Sequence, residues 1–244
     1  MNAGRHLDFL IQQWPFNPEE PSVRLVKGND GRDLIQMRVD LGILQMETCG
    51  RPDGECPEGF PTLLDLLSYR EVRDPDFVMS EELCYEVDRE FVQYYHRRMA
   101  WLRLRRFAEA VADADHTLAL MDMCRDHSPC DDWTLQHEQH RALVLYQRAE
   151  AAALSALEDD SPQRALDALE DGLNRIADNF VDMGWDNEYE SDEMVQRLLY
   201  LQEQIRDDFH IGKTLKDQLA EAIAQEQYEL AARLRDQLAR GDNA

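Results

Sequence analysis

The chain of 244 residues has no long apolar run. Its opening segment, Met1 to Phe16, offers only Phe9, Leu10 and Ile11 in succession, too few for the core of an export signal. No later stretch approaches the length that crosses a bilayer, so a membrane-spanning protein is not expected. Positive charge is scarce: 26 lysines and arginines stand against 50 aspartates and glutamates, a formal charge of −24. That balance makes phosphate backbones and anionic lipid poor partners, and direct contact with nucleic acid or membrane is not expected. About half of the excess lies between Glu158 and Asp208, where 16 acidic residues face 4 arginines. Cysteine is sparse, five in all and never spaced as Cys-x-x-Cys. An odd, scattered set fits reduced thiols in a cytoplasmic protein and argues against a disulfide framework. A Gly-rich phosphate loop, a Gly-x-Ser-x-Gly elbow and a Cys/His pair in a catalytic context are also missing. The expectation is a protein that binds and does not catalyse, with no cofactor.

What is present suffices for folding, since 43% apolar residues with 8% aromatics can fill a core. A change in hydrophobic period divides the chain. Val23 to Lys27 and Leu34 to Met46 are rich in strand-forming residues around the turn Gly28-Asn29-Asp30-Gly31, and Gly42 can split the second run. This predicts a small antiparallel sheet of three strands, Val23–Lys27, Leu34–Val39 and Ile43–Glu47. The turn-rich loop Gly50-Arg51-Pro52-Asp53-Gly54 follows, then helical spacing over Pro61 to Tyr69. Residues 1–79 are read as a β-rich unit with a short helix.

Residues 80–181 are helical. Between Phe91 and Leu104 one stripe carries Tyr94, Trp101 and Leu104 and a second carries Phe91, Tyr95 and Leu102, as on a helix packed on two sides. The run from Trp101 through Phe107 and Ala110 to Leu118 resembles a tetratricopeptide repeat (TPR), with Arg105 where the turn glycine usually stands. A second copy, His140 to Ile176, carries Ala153 and Ala156 on its first helix and Ala165, Leu169 and Leu173 on its second. Ser161-Pro162 provides a cap and a first-turn proline between them. Residues 182–192 read as an acidic linker. In 193–211, Met194, Leu198, Leu201 and Ile205 recur at coiled-coil spacing.

Residues 212–244 are the most informative. Leu215, Leu219, Ala222 and Ile223 share one face of a first helix, and Tyr228, Ala231, Ala232 and Leu238 share one face of a second. Helices this short are marginal alone, so their apolar faces have to be covered. Arg235 falls on the wheel between Ala231 and Tyr228, within the apolar stripe, where a carboxylate partner is expected. The string Tyr228-Glu229-Leu230-Ala231-Ala232-Arg233-Leu234-Arg235-Asp236-Gln237-Leu238, preceded by Leu215-Lys216-Asp217-Gln218-Leu219, resembles the UVR (UvrB/UvrC) motif. It fills every position of that pattern: an aromatic with Glu, paired alanines, Arg-Asp and a final aliphatic. The chain as a whole is similar to uncharacterised bacterial proteins carrying this motif.

The resemblance implies protein contact. The partner would be a second UVR hairpin, a component of excision repair or of a Clp-type unfoldase, or another copy of this chain in a homodimer. Leu219, Ile223, Tyr228, Ala231, Ala232, Arg235, Asp236 and Leu238 are the expected contact residues. The fold class expected is mainly α, with an N-terminal antiparallel β unit, TPR-like hairpins and the C-terminal UVR hairpin; the function is that of an adaptor or scaffold. Two rival readings rest on other residues. Cys124, His127, Cys130, His137 and His140 are of the types that hold zinc, though their spacing matches no standard finger and a polar inter-helix loop explains them better. Arginines 97, 98, 103, 105 and 106 near Trp101 could meet phosphate in a repair accessory that touches DNA, but they spread around the wheel, as solvated acid-paired side chains would.

Overall fold

A computed structural model describes residues 7–19, 22–212, 215–225 and 227–241. The protein is mainly α-helical, with a small antiparallel sheet near its N-terminus. The chain divides into two compact units, 1–198 and 199–244, with the boundary inside one helix.

The first unit opens with a short helix α1 (Asp8–Gln13) and three strands, β1 (Val23–Lys27), β2 (Asp33–Val39) and β3 (Gly42–Glu47), in the order β1-β2-β3. Register sets which face is buried: Met37 lies opposite both Val23 and Leu44, and Ile35 lies opposite Met46, so these side chains form one apolar face. On the other face Arg24 donates to Gln36 and Gln36 to Gln45, a polar ladder across all three strands. Buried Arg38 donates to the carbonyls of Trp14 and Gly42, tying the segment after α1 to the β2–β3 turn.

The spine of the unit is a long helical hairpin, α3 (Glu81–Arg103) and α4 (Phe107–His127). The two helices run antiparallel: going down α3, Glu90 meets His116, Arg97 meets Asp113, and Trp101 packs near Phe107. The turn is a Schellman motif, with Arg106 N–H donating to Trp101 O and Arg105 N–H to Leu102 O. Arg105 takes φ 55° there, the left-handed conformation for which glycine is usual.

Two cores sit at opposite ends of this spine. At one end the apolar sheet face packs on Ala100, Trp101, Phe107 and Ala110. At the other, α2 (Leu63–Arg73) contributes Leu63, Leu66 and Leu67 against Val87, Leu120 and Cys124. Between them lies a buried polar network. The Glu90 carboxylate is fully buried and accepts from the backbone N–H groups of Leu63 and Leu64 at the start of α2, while His116 Nε2 approaches it at 2.9 Å. Its negative charge therefore stands at the positive end of a helix. Arg51, also buried, reaches Glu86, and Tyr94 donates to Gly50 O, so the Gly50–Gly54 loop is fastened down onto α3.

A second hairpin, α6 (Arg141–Glu158) and α7 (Pro162–Asp182), packs beside α4. Pro162 occupies the first turn of α7 as expected, but Ser161 does not cap it: its hydroxyl donates instead to Asp159 O. Gly172 lies so close to α6 that a Cβ placed on it would stand 2.3 Å from Ala149 Cβ. The acidic stretch after α7 is ordered by its aromatics. It forms a 3-10 turn over Asp186–Ser191, Trp185 and Tyr189 stack edge-on against Phe180, and Tyr189 donates to Leu173 O. In α8 (Glu193–Phe209) the buried side chains include Val195, Leu198 and Ile205, but also Gln202 and Arg206, so the apolar seam is interrupted by polar positions. Among the described residues no helix is long and apolar enough to cross a membrane.

Candidate functional site

In the second unit, α9 (Leu215–Ala224) and α10 (Tyr228–Gly241) form a helical hairpin. Gln227 N–H donates to Ala222 O across the turn, and Ala231 N–H to Gln227 O starts the second helix. The hairpin core is small: Ala222, Ala231 and Leu234, with Leu219 packed against them. Two alanines facing each other bring the backbones close, and Leu234 at 5% exposure plugs the gap.

This core is narrower than the wheel suggested. Ala231 and Leu234 define the inward face of α10, which leaves Ala232 outside, and Tyr228, at 69% exposure, on a flank. Arg235 shares that flank, about 20° from Tyr228 on a 3.6-residue wheel. It does not lie in the buried stripe: its side chain is 70% exposed and donates to the adjacent Asp236 at 2.9 Å. No buried carboxylate is needed, because Leu234, which the periodicity did not single out, takes the inward position. On α9, Ile223 is 55% exposed and Leu215 also faces outward. The Leu238 side chain lies outside the described residues. The hairpin therefore covers little of its own apolar surface. Ile223, Tyr228 and Leu230 remain outside its core, with Gln227, Glu229 and Arg233 lining a shallow depression beside the last two.

The proposed metal ligands do not converge. Among the described residues no group of three or more Cys, His, Asp or Glu side chains is placed to hold a metal ion. The expected polar loop is partly helical instead, with Asp131–Glu138 forming α5. Cys124 is buried in the core around α2, and burial pushes its thiol well above the ordinary range. His127 stacks on Phe77 and contacts its carbonyl, whereas Cys130 and His140 are exposed. His137 stacks on Phe91 with Nε2 3.0 Å from Asp88, and burial holds its pKa below the usual histidine value despite that carboxylate.

The five arginines also separate. Arg103, Arg105 and Arg106 are exposed, but Arg97 and Arg98 are buried, contrary to a solvated arrangement. Arg97 is fully engaged. Nε and Nη2 donate to Asp113, Nη1 donates to Glu47 O and Gly50 O, and the guanidinium lies over the Tyr94 ring. Burial works against its charge, yet Asp113 outweighs burial and raises the pKa. Among the described residues Arg98 has neutral partners only, with Nε donating to Gln147 Oε1 and Nη1 to Thr117 Oγ1, both at 2.8 Å. No wheel could distinguish these neighbours, since the difference lies in which helix faces each one.

A family model described as the UvrB/uvrC motif, UVR, matches residues 213–240, the segment that forms the hairpin. No curated protein and no solved structure matches the chain. The chain carries a UVR motif, and that motif coincides with its C-terminal helical pair.

Proposed function

We propose that this protein is an adaptor that acts by docking another protein on its UVR hairpin and performs no catalysis itself. The observation that carries this reading is the exposure of Ile223, Tyr228 and Leu230 on a hairpin whose own core is little more than two alanines and Leu234. Bulky apolar and aromatic side chains flanked by an arginine have the composition of an interface centre. Tyr228 and Ile223 serve as anchors, and Arg235 with Asp236 selects the partner by charge. The partner is a UVR-bearing protein of excision repair or of a Clp-type unfoldase system, or a second copy of this chain, in the cytoplasm. The helical hairpins of the first unit act as a TPR-like scaffold.

A pull-down from extract with wild type and with Tyr228→Ala/Arg235→Glu tests the proposal. Proteins retained by the wild type should be lost from the variant while its circular dichroism stays unchanged. Identical sets on both baits would reduce the hairpin to a structural role. Direct action on DNA predicts salt-sensitive binding to a duplex. With a net charge of −24, no binding is expected even at low salt.

A further inference from the structure

In the first unit a cleft of about 620 Å³ opens between α3, α4 and α6, with α5 and the turn after it closing one end. Its lining is largely apolar, including Phe91, Val92, Met121, Leu143 and Val144. Met121, Val144 and Thr117 are buried, whereas Val92, Tyr95 and Leu143 are left exposed. The size and apolar character are those of a small-molecule site.

Arg98 lines this cleft and is 2% exposed. Among the described residues it has no carboxylate partner, because Asp113, the acid that influences it, is already bound by Arg97. Gln147 and Thr117 occupy Nε and Nη1, and Nη2 makes no hydrogen bond within the protein among the described residues. Burial pushes the Arg98 pKa down to about 10, which leaves the group charged at neutral pH but poorly compensated. A buried cation without a counter-ion is costly, and proteins normally pair it or replace it. Here the cation faces a cleft with room for an anion.

We propose that the cleft binds a small amphiphilic monoanion, whose carboxylate pairs with Arg98 and whose apolar body lies along Phe91, Val92 and Leu143. One buried guanidinium matches one negative charge. Asp88, at the same cleft, and the acidic surface disfavour a more highly charged ligand. The hydrogen-bond capacity left on Arg98 and the planar fork of a guanidinium suit a carboxylate. All residues lining the cleft belong to the first unit, and the proposal does not depend on the adaptor reading.

Titration calorimetry on the full chain with octanoate and 1-octanol tests the proposal. Octanoate should bind about tenfold or more tightly than the alcohol, the difference a charge-assisted hydrogen bond makes. Arg98→Met should abolish that preference, and removing an uncompensated buried charge should leave the fold intact. Leu143→Trp, at a partly exposed position on the rim, should weaken octanoate by about tenfold through steric filling and decides the matter should the arginine variant fail to fold. The proposal is overturned if octanoate does not bind, binds no better than octanol, or is indifferent to Leu143→Trp. A leucine-terminated peptide with a free carboxylate that binds tenfold tighter than octanoate would assign the cleft to a protein tail and overturn the small-molecule reading.

Discussion

Gly172→Ala puts the packing of α6 against α7 to a quantitative test. In an isolated helix the exchange would be favourable by about 1 kcal/mol, because glycine is the poorer helix former. In this fold the new methyl would stand 2.3 Å from Ala149 Cβ and 3.5 Å from Ala149 Cα. Comfortable carbon contacts are about 3.5–4.0 Å, so the helices must part by roughly 1.2–1.7 Å at that point. Ala149 has no rotamer with which to yield, and the displacement would loosen the buried contacts of Ala153, Ala156, Leu169 and Ile176. Overpacking of this kind costs about 1–3 kcal/mol, and the upper end applies where both partners are fixed to backbone. The net loss expected is about 2 kcal/mol, or roughly 4–8 °C in Tm at this chain length. Thermal melts by circular dichroism would measure it. The exchange pair Ala149→Gly/Gly172→Ala moves the methyl across the interface and should recover most of the loss. A Gly172→Ala protein as stable as wild type, or more so, would refute the close approach.

Further outcomes are expected at four places. Asp113→Ala strands the buried Arg97 charge and should cost about 3–5 kcal/mol by urea unfolding, with faster amide exchange in the Gly50–Gly54 loop that Arg97 also holds. Arg105→Gly should stabilise by about 1 kcal/mol, since it removes a left-handed non-glycine residue. The exposed Arg105–Glu158 pair contributes little, and loss of the guanidinium lying 5.4 Å over the Phe107 ring offsets part of the gain. In the hairpin, Leu234→Ala should destabilise α10 by about 2 kcal/mol, whereas Tyr228→Ala should change stability by less than about 0.5 kcal/mol, as read by local amide exchange. Finally, burial lowers the His96 pKa below its unfolded value. As pH falls through about 6.5 the unfolded chain takes up that proton first, so stability is full above this value and declines below it. His96→Gln should flatten the decline in Tm between about pH 7 and pH 5.

Local signals carried much of the fold. The strand residues and the Gly28–Gly31 turn locate the sheet, and the UVR-like string locates the C-terminal pair of helices. What escaped depends on three-dimensional neighbours. Arg97 and Arg98 are adjacent in sequence, yet one meets Asp113 and the other Gln147 and Thr117. Gly172 looks like a helix flaw until Ala149 is seen against it. Leu234 does not stand out on a wheel centred on Tyr228, which rotates the inward face of α10 away from its true axis. The cleft was invisible for the same reason, since its walls come from four helices.

As an adaptor, the protein touches its partner through the flank of the hairpin marked by Tyr228, on the function proposed above. Placing the photo-crosslinker benzoylphenylalanine at position 228 in the full chain, in cells, tests this directly. Irradiation should yield a discrete adduct, either with another protein or with a second copy of the chain. The same residue at the comparably exposed position of Tyr85 in the first unit should not give that adduct. No adduct at position 228, or the same pattern from both positions, would rule out a docking role for this flank.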